Sequence, residues 1–239
     1  SNKLVSNNHS TQEVTIDQPN SLEGFNSNPS KDIINKYRKP GSIFKSLNIE
    51  PFKYILFNSS IEPRKNLMFL LQLYKETNIW NNKKIKLCIT GNDSSKNNSY
   101  IKQLKEDASN IYGIIFSGFV TEEEKLDLYL NTIALVSPSL TEGYGIPVLD
   151  ACCMGINIIG SNCYSYREIE KKYDFKSYIS LLELEDVNLW KKKIYSINKK
   201  YKIDGFTPIE ERMNRISRYL KYSEIIKNKF ISSLICMLE

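Results

Sequence analysis

Two carboxylates, Glu142 and Asp150, stand eight positions apart in the run P-S-L-T-E-G-Y-G-I-P-V-L-D, residues 138–150. Carboxylates in a cleft accept hydrogen bonds from sugar or ribose hydroxyls. Between them Gly143, Tyr144 and Gly145 form a turn where glycine lets backbone approach a ligand closely. A helix starting beyond that turn offers N–H groups to an anion. The same run also fits a purely structural glycine-rich loop, with Asp150 merely favourable near a helix start. A second group, Arg64-Lys65 within E-P-R-K-N (62–66), sets two cations beside another helix start. Arg supplies directed donors and Lys a mobile point charge, a pairing suited to a diphosphate. An exposed basic turn is the alternative. A third, Gly118-Phe119-Val120, presents backbone groups to a base, although an aromatic so placed also reads as core.

Other chemistries are excluded or disfavoured by composition. His9 is the only histidine, so this chain by itself carries no histidine triad and no multi-histidine metal centre. The five cysteines, at 88, 152, 153, 163 and 236, are odd in number and lack C-x-x-C spacing. They predict neither a disulfide framework nor a zinc site, and they fit a reducing compartment. The formal charge is +6, with lysines grouped at 83–84, 171–172, 191–193 and 199–200. Such a surface suits nucleic acid or anionic lipid, but a solvated lysine-rich exterior is the plainer reading. No nucleic-acid partner is expected. No apolar run approaches the roughly 20 residues of a membrane span, and the first residues carry no signal pattern. The expected location is the cytoplasm, with peripheral contact at the inner face of the membrane.

The elements that must hold these residues alternate regularly. Apolar strands are expected at 54–58, 85–90, 114–117, 133–137 and 157–160. Helices are expected at 66–76, 100–108, from Thr121 with Glu124 completing a capping box, and from Pro147 at its favoured first position. Leu67, Leu70, Leu71 and Tyr74 share one face of the first; Leu126, Tyr129 and Leu130 face the core from the third. Residues 1–50 read as a linker or extended arm with a short helix over 31–39, ended by Pro40-Gly41. Residues 51–185 read as a Rossmann-like domain, and 186–239 as helices packing on it, over 186–200 and 208–230. The fold class is α/β, a parallel sheet with helices on both faces. In such sheets ligands bind beyond the carboxyl ends of the strands. The loops singled out by that rule are 58–65, 90–98, 117–121 and 137–147.

In order and spacing, E-P-R-K-N, I-T-G, S-G-F-V, P-S-L-T-E-G-Y-G-I-P-V-L-D-A-C-C-M-G and I-I-G-S-N resemble the C-terminal, nucleotide-sugar-binding domain of GT-B glycosyltransferases. The likeness is to family 4 of retaining enzymes and its mannosyltransferase-like branch, over roughly residues 50–170. It implies that Lys65, helped by Arg64, neutralises the donor diphosphate, and that Glu142 lies against the transferred sugar. The amides of Gly143, Tyr144 and Gly145 would line sugar and phosphate. Asp150 would hold the ribose, and the backbone at Phe119-Val120 would meet the base. The donor would be a GDP- or UDP-linked sugar, with no metal and no cofactor, and a hexose would pass to a glycan or lipid-linked acceptor.

Two departures stand out. Asp150 replaces the usual Glu, and Ser59 and Ser60 occupy a turn that is usually glycine-rich, where their hydroxyls could donate to phosphate. Residues 1–50 are too short for an acceptor domain. The resemblance therefore implies that such a domain lies upstream in a parent chain or on a partner protein. A non-catalytic GT-B-like binding or interaction domain is the alternative.

Overall fold

The computed structural model describes residues 39–92, 98–173, 175–203 and 208–238. The arm and short helix expected before residue 39 lie outside them. Six strands follow one another: β1 (Tyr54–Asn58), β2 (Lys86–Thr90), β3 (Ile114–Gly118), β4 (Ala134–Ser137), β5 (Asn157–Ser161) and β6 (Ile179–Leu182). All pairings are parallel, in the order β3-β2-β1-β4-β5-β6. The chain leaves β1 toward one edge and returns at β4 to build toward the other. The order therefore reverses between β1 and β4, where ligand crevices form in open α/β sheets.

The helices are α1 (Ile43–Ser46), α2 (Leu67–Thr77), α3 (Ile79–Lys83), α4 (Asn98–Ser109), α5 (Glu122–Asn131), α6 (Ile146–Met154), α7 (Tyr164–Tyr173), α8 (Val187–Ile203) and α9 (Pro208–Leu238). Pro63–Lys65 forms a 3-10 turn ahead of α2. Strand residues alternate between faces, and each face has its own core. Tyr54, Leu56, Cys88, Leu135 and Ile158 pack with α5, α6 and α9. Ile55, Phe57, Leu87, Ile89, Val136 and Ile159 pack with α2, α4 and α8. Burial on both sides explains why these strands read as continuous apolar runs.

The first five strands lie within a residue or so of the positions expected from sequence. The capping box at α5 is present, with Glu124 N–H donating to Thr121 Oγ1 and Thr121 N–H to Glu124 Oε2. Pro147 is the second residue of α6, behind Ile146. Four elements had not been expected: α1, α3, α7 and β6. The C-terminal stretch forms one helix, α9, that runs past Phe230 to Leu238. Ile216, Leu220 and Ile226 bury their side chains there, whereas Ile225 stays exposed. Ahead of residue 51, Ile43, Phe44 and Ile49 join the core.

Two buried arginines fasten α9 to α5. Arg212 donates to Asp127 Oδ1 (3.1 Å), to Asn131 Oδ1 (3.0 Å) and to the Lys39 carbonyl (2.9 Å). The other carboxylate oxygen of Asp127 accepts the Gly41 N–H at 2.7 Å. Arg215 reaches the carbonyls of Tyr129, Leu130 and Thr132 at the end of α5, the nearest at 2.7 Å. A cation at a helix C-terminus meets the negative end of its dipole and satisfies carbonyls left without helical partners. Among the described residues no helix is long and apolar enough to cross a membrane.

Candidate functional site

The carboxyl ends of β1 and β4 bring the basic and acidic segments together. After β1 the chain turns through Pro63–Lys65 and reaches Asn66 in the left-handed region (φ 56°) before α2 begins. This tight turn aims Lys65 inward, and the residue is only 5% exposed. After β4 the loop carries Ser139 and Glu142 into Gly145, whose φ of +88° starts α6. The two loops share a backbone bond, Leu140 N–H to the Arg64 carbonyl at 2.8 Å.

Across the junction Lys65 Nζ lies 2.7 Å from Glu142 Oε1 and 2.6 Å from Oε2. Ser139 Oγ donates to Oε1 at 2.7 Å, and Tyr166 Oη donates to it at 3.0 Å. Arg64 stands farther out, 3.5 Å from Oε2, and pairs mainly with Glu62 at 2.8 Å. The side chains of Lys65 and Glu142 are both almost removed from water. A pair so placed gives up hydration and depends on close partners. A mobile ammonium facing a carboxylate at the crevice floor provides one charge for an anionic group and one acceptor for hydroxyls.

The other sequence candidates differ in burial and in the partners they meet. Ser60 Oγ donates to Glu62 Oε1 at 2.6 Å. That bond first, and Arg64 after it, holds the Glu62 carboxyl below its usual range. Ser59 N–H donates to the Thr90 carbonyl. Phe119 is 74% exposed, so the core reading of this aromatic does not hold. Val120 is half-buried against the core. Gly143 is exposed, Tyr144 half-buried and Gly145 buried. Asp150 has no exposure and lies within α6. Its charge acts on the neighbouring Tyr129 phenol and Cys153 thiol, both already pushed up by burial. Tyr129 in turn accepts from Asn58 Nδ2 and donates to the Pro147 carbonyl.

Sequence reasoning had not singled out Ser139, Ser165 or Tyr166, all of which touch the Glu142 segment. Among the described residues no group of three or more His, Cys, Asp or Glu side chains is arranged to hold a metal ion.

Gly91, the residue after β2, fixes the first loop. A Cβ there would lie 1.8 Å from the Ser59 carbonyl oxygen, and its φ of +145° is one that L side chains rarely adopt. Gly91→Ala is expected to cost about 2–3 kcal/mol. The cost would be read as a lower urea midpoint at unchanged m; an unmoved midpoint would show that the two loops are not in register contact.

The sequence model of the family described as glycosyl transferases group 1 matches residues 40–202. Relatives with curated names include the O-antigen chain mannosyltransferase B of Escherichia coli, 31% identical over 116 residues, 48% of this chain and 30% of that protein. The serotype-specific mannosyltransferase WbdA of Escherichia coli is 32% identical over 124 residues, 50% of this chain and 15% of that protein. The matched part of the chain thus spans less than a third of the length of these relatives. Among solved structures, Anabaena Alr3699/HepE in complex with UDP and glucose superposes with a TM-score of 0.60 at 12% identity, over 85% of this chain and 54% of that one. The C-terminal domain of the glycosyl transferase group 1 family protein LpcC from Francisella tularensis gives 0.57 at 16% identity, over 75% of this chain and 90% of that one. With a family match over more than half of its length, and the parallel sheet of such a C-terminal domain, the chain belongs to the glycosyl transferases group 1 family.

Proposed function

We propose that this domain binds a nucleoside diphosphate sugar, GDP- or UDP-linked, and presents its hexose for transfer with retention to a glycan or lipid-linked acceptor. The observation that carries the reading is the Lys65–Glu142 pair, held across the reversal point of the sheet. On entry of the donor, the diphosphate draws Lys65 and Arg64 to itself. The cations offset the charge that develops on the departing nucleoside diphosphate. Glu142, relieved of its counter-ion, accepts from the sugar hydroxyls. The amides of Gly143, Tyr144 and Gly145 line sugar and phosphate, and the Phe119-Val120 backbone meets the base. Asp150 serves the ribose, with Ser59 and Ser60 beside the phosphates. No metal is required, since the lysine and arginine supply the positive charge.

The mannosyltransferase relatives and the UDP-bound neighbour support a nucleotide-sugar donor. Transfer itself needs an acceptor domain, N-terminal in a parent chain or supplied by a partner protein. Two observations favour a second reading, a domain that binds without catalysing: the Ser60 hydroxyl is engaged by Glu62, and Asp150 is wholly interior.

Thermal melting with GDP, UDP, GDP-mannose and UDP-glucose tests the donor reading. At a ligand concentration near 100 times Kd, stabilisation is about 2.7 kcal/mol, an upward shift of roughly 5–10 °C. A melting temperature unmoved by all four ligands sinks it.

A further inference from the structure

Helix α7 supplies two adjacent side chains to the underside of the Glu142 loop. Ser165 Oγ lies 2.8 Å from the Glu142 carbonyl and 3.0 Å from that of Gly143. The ring of Tyr166 fills space that two glycines leave open. A Cβ at Gly145 would approach Tyr166 Cε1 to 2.7 Å, and one at Gly160 would approach Cδ2 to 3.1 Å. So confined, the ring delivers its hydroxyl to a point 2.6 Å from Ser137 Oγ, 3.0 Å from Glu142 Oε1 and 3.4 Å from Ser139 Oγ. An ionised carboxylate only accepts. The chain of donors therefore runs from Ser137 to the phenol oxygen and from the phenol proton to Glu142. Burial first, and then the charge of Glu142, push the phenol above its ordinary range. It stays protonated and donating at neutral pH.

The two oxygens of Glu142 differ in their partners. Oε1 is held by Ser139 and Tyr166 as well as Lys65, whereas Oε2 faces the cations Lys65 and Arg64. A diphosphate that recruits both cations uncovers Oε2 and leaves Oε1 tethered. Resting on the donor-site reading, we propose that Tyr166 is a positioning residue. Its hydroxyl fixes the Glu142 carboxylate so that Oε2 meets the sugar of the donor. Tyr166 thereby governs recognition of the sugar and not of the nucleoside diphosphate.

The experiment is calorimetric titration of the full chain and of its Tyr166→Phe variant with GDP, GDP-mannose, UDP and UDP-glucose. Phenylalanine keeps the ring between the two glycines and removes only the hydroxyl. Nucleoside diphosphate affinity is expected to stay within about twofold of wild type. Affinity for the matching nucleotide sugar is expected to fall about tenfold, the scale of one hydrogen bond to a charged group. A merely structural tyrosine would weaken both ligands equally, and an unchanged ratio of the two affinities overturns the proposal. Should Tyr166→Phe melt too low to titrate, Ser137→Ala removes the donor behind the phenol. It should move the same ratio the same way by about two- to threefold; no movement there is equally fatal. A wild-type chain that binds none of the four ligands overturns the donor reading and the tyrosine's role together. Wild-type binding with an unchanged variant ratio overturns only the latter.

Discussion

Lys65→Ala is expected to lower the affinity for GDP or UDP by about a hundredfold or more, and to erase the melting shift produced by nucleotide sugars. Truncating one partner of a desolvated charge pair in a complex typically costs about 3–5 kcal/mol, which corresponds to roughly 10²–10⁴ in Kd. Arg64 offers only partial replacement. It is much more exposed than Lys65 and is already drawn to Glu62. The unliganded variant should remain folded, because Glu142 keeps Ser139 and Tyr166 as donors. Calorimetry on wild type and variant checks the affinity, and circular dichroism checks the fold. A folded variant with wild-type affinity would remove Lys65 from the site.

Arg212→Met is expected to destabilise the chain by about 3–5 kcal/mol, through loss of a buried ionic partner. For a chain of this size that amounts to a fall of roughly 6–20 °C in melting temperature. The dependence on pH has a definite sign. Burial raises the Asp127 carboxyl above its ordinary value, while the charge of Arg212 and the Gly41 N–H pull it back. Without the arginine one of those lowering influences is gone, so the folded variant binds that proton more tightly than wild type. A carboxyl raised in the folded state favours folding while protonated and loses that contribution as pH rises through its folded value. The deficit of the variant should therefore be smaller near the ordinary carboxylate range, about pH 4, and reach its full size at neutral pH. Urea melts of both proteins at the two values decide the point; an equal deficit at both would show that Asp127 does not carry the effect.

Which features were legible in the sequence follows from their physics. Strands β1, β2, β4 and β5 are buried on both faces, so their apolar runs stand out against the glycines and polar turns that bound them. Strand β3 lies at an edge and is only half-buried, but Ile114-Ile115-Phe116 still reads as an apolar run. The Thr121–Glu124 capping box and the glycine-rich entry to α6 are local signals set by a few residues. Strand β6 was not legible. It is short, its two middle residues are only half-buried, and it pairs at the edge of the sheet. Helix α7 was missed because it is polar overall, its buried hydrophobic face resting on Tyr166 and Ile169 among the described residues. With it went Ser165 and Tyr166. A signal for them existed: the rule that ligands sit beyond strand carboxyl ends applies equally to the loop after β5. Extending that rule to residues 161–166 would have included both. Arg212 and Arg215 were invisible for another reason. Charged residues on a helix read as solvated, and only the tertiary fold shows that they meet Asp127 and the end of α5.

Those arginines also bear on the order of synthesis. Every strand of the sheet, and helices α1 to α8, precede Arg212 in the chain. A nascent polypeptide thus has its whole sheet before the side chains that close the end of α5. Until α9 is made, the carbonyls of Tyr129, Leu130 and Thr132 and the Oδ1 of Asp127 lack their arginine donors. During translation this face of the domain is therefore the last to be sealed, and there a premature stop or a ribosomal pause leaves an assembled sheet with an unfinished side.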